Sequence, residues 1–575
     1  MKNYVNLLFK KVILASFVGA FGLSLMAQEV EEVVVTAEKR SESLQDISQA
    51  VTALTESDLE EKNIESFVDL SAIVPGVTVA KNEGYKTIIS IRGVGNETNQ
   101  NAIAAPSVAF HMDGVFIASP FAISTDFLDV ERLEVIRGPQ GTLFGQNSTG
   151  GAINLISKTP TTEGSEGKLS VTYGDYNLRK VIASNNIVVN DKIATRFSVS
   201  STTRDGFTEN VFTGQDLDDA NNKSVRTDWM FDLNDTSSLR VFGQYFKVDR
   251  NGAAIRGIDD QSSGMRKLSQ DTISQHDLSS MVIAAIYEAD LGFANLKMIG
   301  SVQEDDISVT RDNDRHNYLD PVLSIPGLGA GATYQRSEFR PETSLVDTTT
   351  FEVNLISIEP IEGRLDWTVG AFYMDHEIEN HIRGYRDNDG TGRLKYECSE
   401  SYADPTYCYE HDYGIPGRFD VFGADWDFVT DSFPTRESYS IYGQTTLSVS
   451  DNFRIISGLR YSEDKFTSDV TNFFNVQEYD LAGESDEVTS RVAAEIDFTD
   501  DIMVYFALAK GYKPGGSNLT FGYTEEEDIE NGTPVAPAMV FPTFESETVD
   551  SVELGLKSTF AAVSYTHLTL PTIRE

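Results

Sequence analysis

The histidines of the chain are the side chains best suited to catalysis or metal binding, and the seven of them are scattered along the sequence. None belongs to an H-x-x-x-H or H-E-x-x-H pattern, in which two imidazoles on one helix face would hold a zinc ion. No G-x-S-x-G sequence places a nucleophilic serine on a tight strand-to-helix turn. The sequence therefore predicts a protein that is not an enzyme, with no cofactor and no dedicated metal site.

The two cysteines, Cys398 and Cys408, lie close together in one polar segment. Their spacing is not that of a C-x-x-C redox motif, and the further ligands that a zinc site needs are lacking. The N-terminus carries an export signal, described below, and exported chains meet an oxidising compartment. We therefore predict a disulfide between these two cysteines.

A glycine-rich stretch from Asp126 to Pro160 separates two short apolar runs, VERLEVI and AINLI. Glycines accept positive φ and close backbone approach, which indicates a strand, a compact loop and a second strand. A phosphate-binding loop would need G-x-x-x-x-G-K-[ST] ahead of a helix, but Gln146 and Asn147 follow Gly145. The stretch is interpreted as a structural turn.

The composition excludes some classes of function. The 575 residues include 46 Lys and Arg against 89 Asp and Glu, a net charge of -43. Nucleic-acid binding needs a basic surface and is disfavoured. The 33 Phe and 23 Tyr argue against a disordered acidic chain.

Residues 1–27 have the features of a signal peptide. Lys2, Lys10 and Lys11 precede an apolar run, Val12 to Leu25, that is short for a membrane span, and Ala27 is a suitable residue before the cleavage site. No later run of 18 apolar residues occurs. If this chain crosses a membrane, it must do so as a closed barrel, which for an exported chain implies the Gram-negative outer membrane.

The secondary-structure elements that would position a site follow two different sequence patterns. Residues 38 to about 160 indicate a small mixed α/β domain, with a strand at Val51–Leu54 and a helix over Ser57–Leu70. From Gly167 onward, alternating segments predict about fourteen strands, with a further one starting near Phe560. Short turns alternate with long polar segments, an asymmetry that a soluble sandwich or propeller would not show. The long segments are 204–222, 250–275, 311–346, 380–435, 466–485 and 514–545.

Four motifs occur in one order: Pro75-Gly76-Val77, Ile91-Arg92-Gly93, Met112-Asp113-Gly114-Val115 and the glycine-rich stretch. Together they resemble the plug domain of TonB-dependent outer-membrane receptors. The resemblance extends from the first residues to about Leu556. It implies a membrane β-barrel with an N-terminal mixed α/β plug in its lumen.

The resemblance divides the chain into a signal peptide (1–27), a TonB-box segment (28–37), the plug (38–160), the barrel (161–563) and an atypical tail (564–575). Complete barrels of this kind have about 22 strands, and a wall of about fourteen would be narrow for a plug of roughly 120 residues. We therefore expect the chain to be incomplete at its C-terminus.

The segment Glu31, Glu32, Val33, Val34, Val35, Thr36 and Ala37 resembles the TonB box. Such a box pairs with a sheet edge of TonB, so the implied partners are TonB and the inner-membrane energy-coupling complex, together with outer-membrane lipid. The alternative interpretation is a first strand of the plug.

The resemblance also implies a plug lock, in which plug arginines pair with glutamates of the wall. Arg92 and Arg137 match the arginines and Glu553 matches one glutamate, whereas the second glutamate is expected on a later strand. Buried charges need such partners.

Ligand contacts are expected in the apical loop of the plug and in the long loop 380–435, whose aromatic side chains can stack on flat chelates or sugars. A solvated protective loop is the alternative. The candidates are Asn96, Asn99, Gln100, Asn101, Tyr402, Tyr407, Tyr409 and Trp426.

By resemblance, the expected function is TonB-dependent active transport of a scarce nutrient, with a ferric siderophore as the default cargo. Cobalamin, haem, nickel chelates and oligosaccharides are alternatives with the same mechanism. A passive porin or a structural surface protein is the alternative of another class, and the combination of box and plug argues against it.

Overall fold

The structure is a computed structural model. It describes residues 34–560 and 563–566 except 83, 96–104, 125, 258–259, 261, 263, 313–314, 316–322, 325–332, 335–337, 387–427, 473–476, 518–521, 524–528, 531–532, 535–538 and 541–542.

The first part of the chain forms the plug, a mixed α/β unit. Its elements in order are β1 (Val34–Val35), β2 (Glu42–Ser43), β3 (Ala50–Thr55), α1 (Glu56–Glu61), a 3-10 turn (Phe67–Asp69), α2 (Leu70–Ile73), β4 (Val77–Asn82), β5 (Lys86–Ile91), β6 (Val94–Gly95), β7 (Val108–Met112), β8 (Val115–Ile117), β9 (Val130–Arg137) and β10 (Gly151–Ser157).

The plug is built on a five-stranded sheet with the order β3-β9-β10-β7-β8. The pair β10–β7 is parallel and the other pairs are antiparallel. Leu133, Val135 and Ile153 are fully buried on the central strands β9 and β10. The two predicted strands around the glycine-rich loop are therefore confirmed as the middle of the sheet.

The helix predicted over Ser57–Leu70 is wrong as a single element. Thr55, rather than Ser57, is the N-cap of α1, and it forms a reciprocal capping box with Asp58. The helix is short, and Asn63 beyond it has φ 51, in the left-handed region. A second capping box, Ser66 with Asp69, then starts the 3-10 turn.

The second part of the chain forms one 15-stranded sheet, the wall. Its strands are β11 (Glu166–Gly174), β12 (Leu178–Asn190), β13 (Ile193–Arg204), β16 (Ala220–Asn234), β17 (Ser237–Arg250), β19 (Gln275–Asp290), β20 (Ala294–Asp312), β23 (Glu338–Ser357), β24 (Leu365–Arg386), β25 (Phe428–Ser450), β26 (Phe453–Asn472), β27 (Gln477–Thr499), β28 (Ile502–Lys513), β35 (Glu547–Phe560) and β36 (Val563–Thr566). Consecutive strands pair antiparallel throughout.

Short strands lie outside the wall, in its long connections. They are β14 (Thr208–Asn210), β15 (Gln215–Leu217), β18 (Lys267–Leu268), β21 (Leu323–Ser324), β22 (Thr333–Tyr334), β29 (Gly516–Ser517), β30 (Gly522–Tyr523), β31 (Ile529–Glu530), β32 (Thr533–Pro534), β33 (Met539–Val540) and β34 (Thr543–Phe544).

The wall has tight turns at one end and long connections at the other, as predicted. Several segments predicted as loop nevertheless belong to strands: β26 and β27 run through most of 466–485, and β23 begins inside 311–346. The exposed residues of these parts, such as Thr467, Asp469 and Glu484, are polar, so the apolar outer face that marks the other strands is missing, but the ladder continues through pairs such as Asp469–Asp480.

Side chains alternate between the two faces of the wall. Large apolar residues on the outer face are exposed on neighbouring strands, and they form a band that suits contact with lipid. Members of the band include Tyr245, Ile283, Val302, Phe351, Val369, Ile441, Leu459, Val492, Leu508 and Val552. In the part of the chain described here, no helix is long and apolar enough to cross a membrane.

The inner face of the wall contacts the plug along most of its strands. Contacts begin with Lys168 of β11, which pairs with Glu56, and extend to Lys557 of β35, which donates to the carbonyl oxygen of Leu44. The wall therefore curves around the plug as a barrel does.

Candidate functional site between plug and wall

Three of the plug motifs meet at Arg92. Val77 pairs with Ile91 across β4 and β5, and the backbone N–H of Arg92 donates to the Gly76 carbonyl at 2.7 Å. Arg92 has φ 53, and this left-handed turn directs its side chain to the wall. There Nη1 lies 2.7 Å from Oε2 of Glu553, whose other oxygen accepts a hydrogen bond from the Tyr505 hydroxyl.

Gly138 leaves the space through which Arg92 reaches the wall. A Cβ at this position would lie 3.3 Å from Arg92 Nη1 and 3.9 Å from Glu553 Oε2. Gly138 also has φ 93, a backbone conformation that residues with a Cβ rarely adopt. Gly138, at the end of β9, is therefore needed both for its own turn and for the approach of Arg92 to Glu553.

Arg137 lies beside Arg92 but has a different environment. Its Nη1 donates to the Pro75 carbonyl at 3.4 Å, and no carboxylate of the described residues forms an ion pair with it. Burial and the adjacent Arg92 lower the pKa of Arg137. The structure thus brings Arg92 and Glu553 together and places Arg137 next to them; the role of all three as a lock stays a prediction.

Asp113, in the turn between β7 and β8, lies in a buried cluster of four charges. Its carboxylate oxygens are 2.7 Å from Arg226 Nη2 and 3.4 Å from Arg240 Nη1. Both arginines also pair with Asp228 of the wall, at 3.0 and 2.7 Å. Burial alone would raise the pKa of Asp113, but the two arginines and the Ser157 N–H hold it below its usual value.

A second plug carboxylate, that of Asp129, is bound by the guanidinium group of a wall arginine, Arg196. Nε and Nη2 of Arg196 each contact one oxygen of Asp129, the latter at 2.8 Å. Ser198 Oγ donates to the same carboxylate at 2.6 Å. Two-point contacts of this kind fix orientation as well as distance, so they anchor the plug to β13.

The described part of the candidate TonB box, Val34 to Ala37, is docked on the plug. Val34 and Val35 pair antiparallel with Glu42 and Ser43, and Val35 and Ala37 are almost completely buried. This pairing is the one that the alternative of a first plug strand predicts, and the role of the segment as a TonB box stays a prediction. Glu31, Glu32 and Val33 lie outside the described residues.

A buried carboxylate of β9 holds the middle of this segment. The backbone N–H of Thr36 donates to Glu134 Oε1 at 2.9 Å, and its hydroxyl lies 3.1 Å from Oε2. Asn154 Nδ2 donates to the same hydroxyl at 3.0 Å. Glu134 is fully buried and is balanced by Arg132, whose Nε is 2.9 Å away.

Two cations directly after the box segment connect it to the wall. Lys39 pairs with the buried Glu352 of β23. Arg40 contacts β23 and β24, with Asp366 Oδ1 at 3.2 Å and both Ser357 Oγ and the Trp367 carbonyl at 2.6 Å. Burial lowers the pKa of Lys39, although Glu352 opposes the shift.

The remaining predicted site residues lie outside the described residues. They are the disulfide pair Cys398 and Cys408 and the ligand candidates Asn96, Asn99, Gln100, Asn101, Tyr402, Tyr407, Tyr409 and Trp426. Within the described ranges, no group of three or more His, Cys, Asp or Glu side chains is arranged to hold a metal ion.

Sequence reasoning missed most of the plug–wall ion pairs. Three wall arginines could have been recognised from the sequence, because each interrupts the apolar or small residues of an alternating strand. They are Arg196, Arg226 and Arg240. A charge at such a position must face the lumen, where a partner is required. Their partners Asp113 and Asp129 stand in or next to the plug motifs.

The geometry defines a class of protein: a membrane β-barrel whose lumen holds a plug that is bound to the wall by ion pairs. Comparison with family models agrees. The model "TonB dependent receptor-like, beta-barrel" matches residues 298–570, and the model "TonB-dependent Receptor Plug Domain" matches residues 43–152. The chain belongs to the TonB-dependent receptor family, and the outer membrane is its location.

Curated relatives are similar to parts of the chain. A vitamin B12 transporter, BtuB of Vibrio vulnificus (strain CMCP6), is 36% identical over 154 residues, 25% of this chain and 24% of the relative. The pesticin receptor of Yersinia pestis is 24% identical over 513 residues, 86% of this chain and 65% of the relative. The chain thus spans less than two thirds of the length of either relative.

Solved structures show the same fold. The ferric yersiniabactin uptake receptor FyuA of Yersinia pestis superposes with a TM-score of 0.69 at 18% identity, covering 89% of this chain and 70% of that one. The siderophore receptor PiuA of Acinetobacter baumannii gives 0.64 at 18% identity, covering 90% and 71%.

Proposed function

We propose that the protein imports a chelated nutrient across the outer membrane, with energy supplied through TonB, and that its cargo is a ferric siderophore. Cargo binds on the side of the long connections. TonB and the inner-membrane coupling complex then pull on the segment Glu31–Ala37, and the plug rearranges to let the cargo through.

The observation that carries the proposal is the placement of the box segment. Residues 34–37 lie on the plug through Thr36 and Glu134, and Lys39 and Arg40, in the turn that follows, form ion pairs with the wall. A pull at this segment therefore acts on plug and wall contacts together. A passive porin has no use for such a segment or for the charges that hold a plug in its lumen.

The cargo class is supported by similarity to proteins whose names state a siderophore. These include a ferric yersiniabactin uptake receptor, a siderophore receptor and a ferric-catecholate import receptor. The match to a vitamin B12 transporter covers a quarter of the chain. Specificity resides in site surfaces rather than in the fold, so cobalamin belongs in the same assay.

The test is uptake by cells that express the protein and lack other iron-chelate receptors. Iron-55 is supplied as yersiniabactin, alcaligin, pyoverdine and catecholate complexes, and labelled cobalamin, haem and a maltooligosaccharide are supplied in parallel. We expect one iron chelate to accumulate, and a protonophore to abolish its accumulation. Deletion of Glu31–Ala37 should abolish accumulation while surface binding persists.

Glu163→Pro, in the exposed link between β10 and β11, is the control for a backbone change outside the box, and uptake should survive it. Unchanged uptake after deletion of the box would refute energy coupling through this segment. Uptake of cobalamin, haem or the oligosaccharide instead of any iron chelate would refute the cargo class.

A further inference from the structure

A small cavity lies between the plug and the wall, and we call it the upper cavity. Its volume is about 30 Å³, which exceeds the roughly 10–15 Å³ that one water molecule needs. The plug contributes Pro106, next to the apical loop, and Asn147 of the glycine-rich loop. Val346, His376 and Arg436 line it from the wall, and they lie near the middle of β23, β24 and β25. The cavity therefore has room for a single small group, and a whole iron chelate is too large for it.

Arg436 brings a buried positive charge to the upper cavity. The residue is only 8% exposed, and its Nη2 donates to the Gly515 carbonyl at 2.7 Å. Its Nη1 is buried and has no hydrogen-bond partner among the described residues. A guanidinium group carries several N–H donors and no acceptor, so part of its hydrogen-bonding capacity is unused beside the cavity.

No carboxylate of the described residues forms an ion pair with Arg436. The wall arginines Arg196 and Arg226 differ in this respect, because each pairs with a plug aspartate. Asp464 of β26 acts on Arg436 from beyond ion-pair distance, and its two oxygens accept hydrogen bonds from hydroxyl groups. A buried charge without a close partner raises the free energy of the folded state. A ligand of negative charge beside Arg436 would therefore stabilise this part of the molecule.

Two neutral side chains at the cavity can donate hydrogen bonds to the same ligand. His376 lies directly opposite Arg436 across β24 and β25, and its Nδ1 is 2.8 Å from the Thr348 hydroxyl oxygen. When that hydroxyl donates, the ring proton is on Nε2, which is then a donor. Asn147 is almost fully buried, and its Oδ1 has no partner among the described residues. Its side-chain amide supplies further N–H donors.

The electrostatic character of the lining agrees with a negative ligand. None of the described residues that line the cavity is acidic, although the chain as a whole has a net charge of -43. Asn147 has φ 62, a left-handed conformation that asparagine adopts more readily than most residues. The glycine-rich loop therefore turns at the residue whose amide meets the wall.

We propose that Arg436, His376 and Asn147 form a binding site for one small anionic group, either a free halide ion or a carboxylate that a chelate carries. The charge of Arg436 selects an anion over water, and the volume limits the ligand to a single group. The bound anion contacts a loop of the plug and two strands of the wall at once, so it strengthens plug docking. The inference goes beyond the proposed function and does not depend on it, since binding of an anion needs neither TonB nor transport.

The test measures how anions change the urea midpoint for release of the plug in the purified chain. Sodium bromide and sodium formate supply small anions, and sodium gluconate at the same ionic strength supplies an anion that is too large for the cavity. A ligand that binds only the docked state stabilises that state. We expect bromide and formate to raise the midpoint by about 0.5 M relative to gluconate, in a saturable manner.

Three variants separate binding at the cavity from a general effect of salt. Arg436→Gln removes the charge and should abolish the difference between the small anions and gluconate. Arg454→Gln also removes a wall arginine, but one that is paired with Glu495 and Asp497 and does not line the cavity, so the difference should persist. Asn147→Asp places a carboxylate at the cavity, so it should raise the midpoint in gluconate and abolish the response to bromide and formate.

Chlorine-35 NMR line widths identify the source of the anionic group. Exchange with a bound site broadens the chloride signal, and formate should narrow it by competition. Gallium complexes of yersiniabactin, alcaligin, pyoverdine and a catecholate are diamagnetic substitutes for the iron complexes. Narrowing by one of them assigns the site to an anionic group of the cargo, whereas a signal that stays broad while a complex is bound assigns it to a free halide ion.

Two results would overturn the site. One is an equal midpoint in bromide, formate and gluconate for the unmodified chain, and the other is a response of Arg436→Gln and Asn147→Asp that matches that of Arg454→Gln. If Arg436→Gln does not fold, Asn147→Asp alone provides the comparison. A failure of energised uptake in the cell assay leaves these measurements unaffected, so the two proposals are tested separately. Retained heat-modifiable migration on gels verifies that each variant is folded.

Discussion

At the scale of single residues, the Arg92–Glu553 pair and the neighbouring Arg137 give contrasting expectations. Arg92→Ala leaves Glu553, which is largely buried, without its cation, and hydrogen bonds to charged groups contribute about 1.5–3 kcal/mol. We expect cells with Arg92→Ala to become sensitive to large antibiotics such as vancomycin. Arg137→Ala should have a smaller effect, and equal sensitivity of the two variants would contradict the ion pair as the main contact.

Asp113 is the residue for which we expect the largest loss of plug docking. Asp113→Ala leaves Arg226 and Arg240 sharing Asp228 alone, and breaking a buried pair costs about 3–5 kcal/mol. Release of the plug in urea, followed by proteolysis of the plug, measures the loss. Glu131→Ala, at an exposed position on β9, is the control and should change the urea midpoint little.

The same carboxylate gives a pH dependence with a definite sign. Because the folded-state pKa of Asp113 is lowered, the stabilisation it provides is present above the ordinary carboxyl pKa of about 3.9 and is lost as the pH falls below it. The difference in urea midpoint between the unmodified protein and Asp113→Ala should therefore shrink between about pH 5 and pH 2. A difference that grows on acidification would contradict the assignment.

The sequence predicted the site residues that belong to a recognisable motif. It did not predict residues whose role depends only on an ion pair with a distant part of the chain. Arg92 and Glu553 are found together as expected. Asp113 stands in a motif that sequence reasoning quoted without giving it a partner, because Arg226 and Arg240 are more than a hundred positions away. Lys39 and Arg40 were missed since a cation in a short polar segment looks solvated until the wall encloses it.

At the scale of elements, the proposed function requires that strand β1, which is docked on β2, can be released for TonB. Glu134→Ala removes the acceptor of both Thr36 hydrogen bonds, each contributing about 0.5–1.5 kcal/mol. The released form should then be more populated, so a soluble TonB C-terminal domain should bind about tenfold more tightly.

Calorimetric titration with that domain checks this expectation. Asn154→Ser, which weakens the contact with the Thr36 hydroxyl less severely, should give an intermediate affinity. Glu163→Ala, at an exposed position in the link between β10 and β11, is the control and should leave the affinity unchanged. An affinity unchanged by Glu134→Ala would show that docking of β1 does not limit access to the segment.

Element boundaries were harder to predict than element types. The sequence contains two capping boxes, Thr55 with Asp58 and Ser66 with Asp69, and each starts its own turn. Apolar spacing alone joined them into one helix. In the wall, strands such as β26 and β27 continue where the exposed face is polar, so the sequence there lacks the apolar outer residues that predicted the rest of each strand.

At the scale of the whole molecule, the apolar outer band fixes how the wall sits in the membrane. Ile283 and Val302 face outward as neighbours on β19 and β20. Ile283→Arg should reduce the free energy of unfolding in lipid vesicles by about 2–4 kcal/mol if the site is near the bilayer midplane. Leu291→Arg, in the tight turn after β19, should cost about 0–1 kcal/mol.

Urea titration monitored by tryptophan fluorescence compares the two variants. Equal losses of unfolding free energy in the two variants would show that Ile283 does not lie in the lipid-facing apolar band. The alternation that defines the band was readable from sequence, whereas the wall strands that pair with Asp113 and Asp129 were not, since their arginines are distant from both aspartates along the chain.

The empty space at Gly138 has a consequence for the history of such a chain. A Cβ at this position would lie 3.3 Å from Nη1 of Arg92, so the arginine side chain would have to shift by a few tenths of an ångström. The positive φ of Gly138 would in addition strain any residue that carries a Cβ. A substitution at Gly138 therefore disturbs two features at once, its own turn and the Arg92–Glu553 ion pair, and we expect it to be tolerated better in a chain that has already lost Arg92.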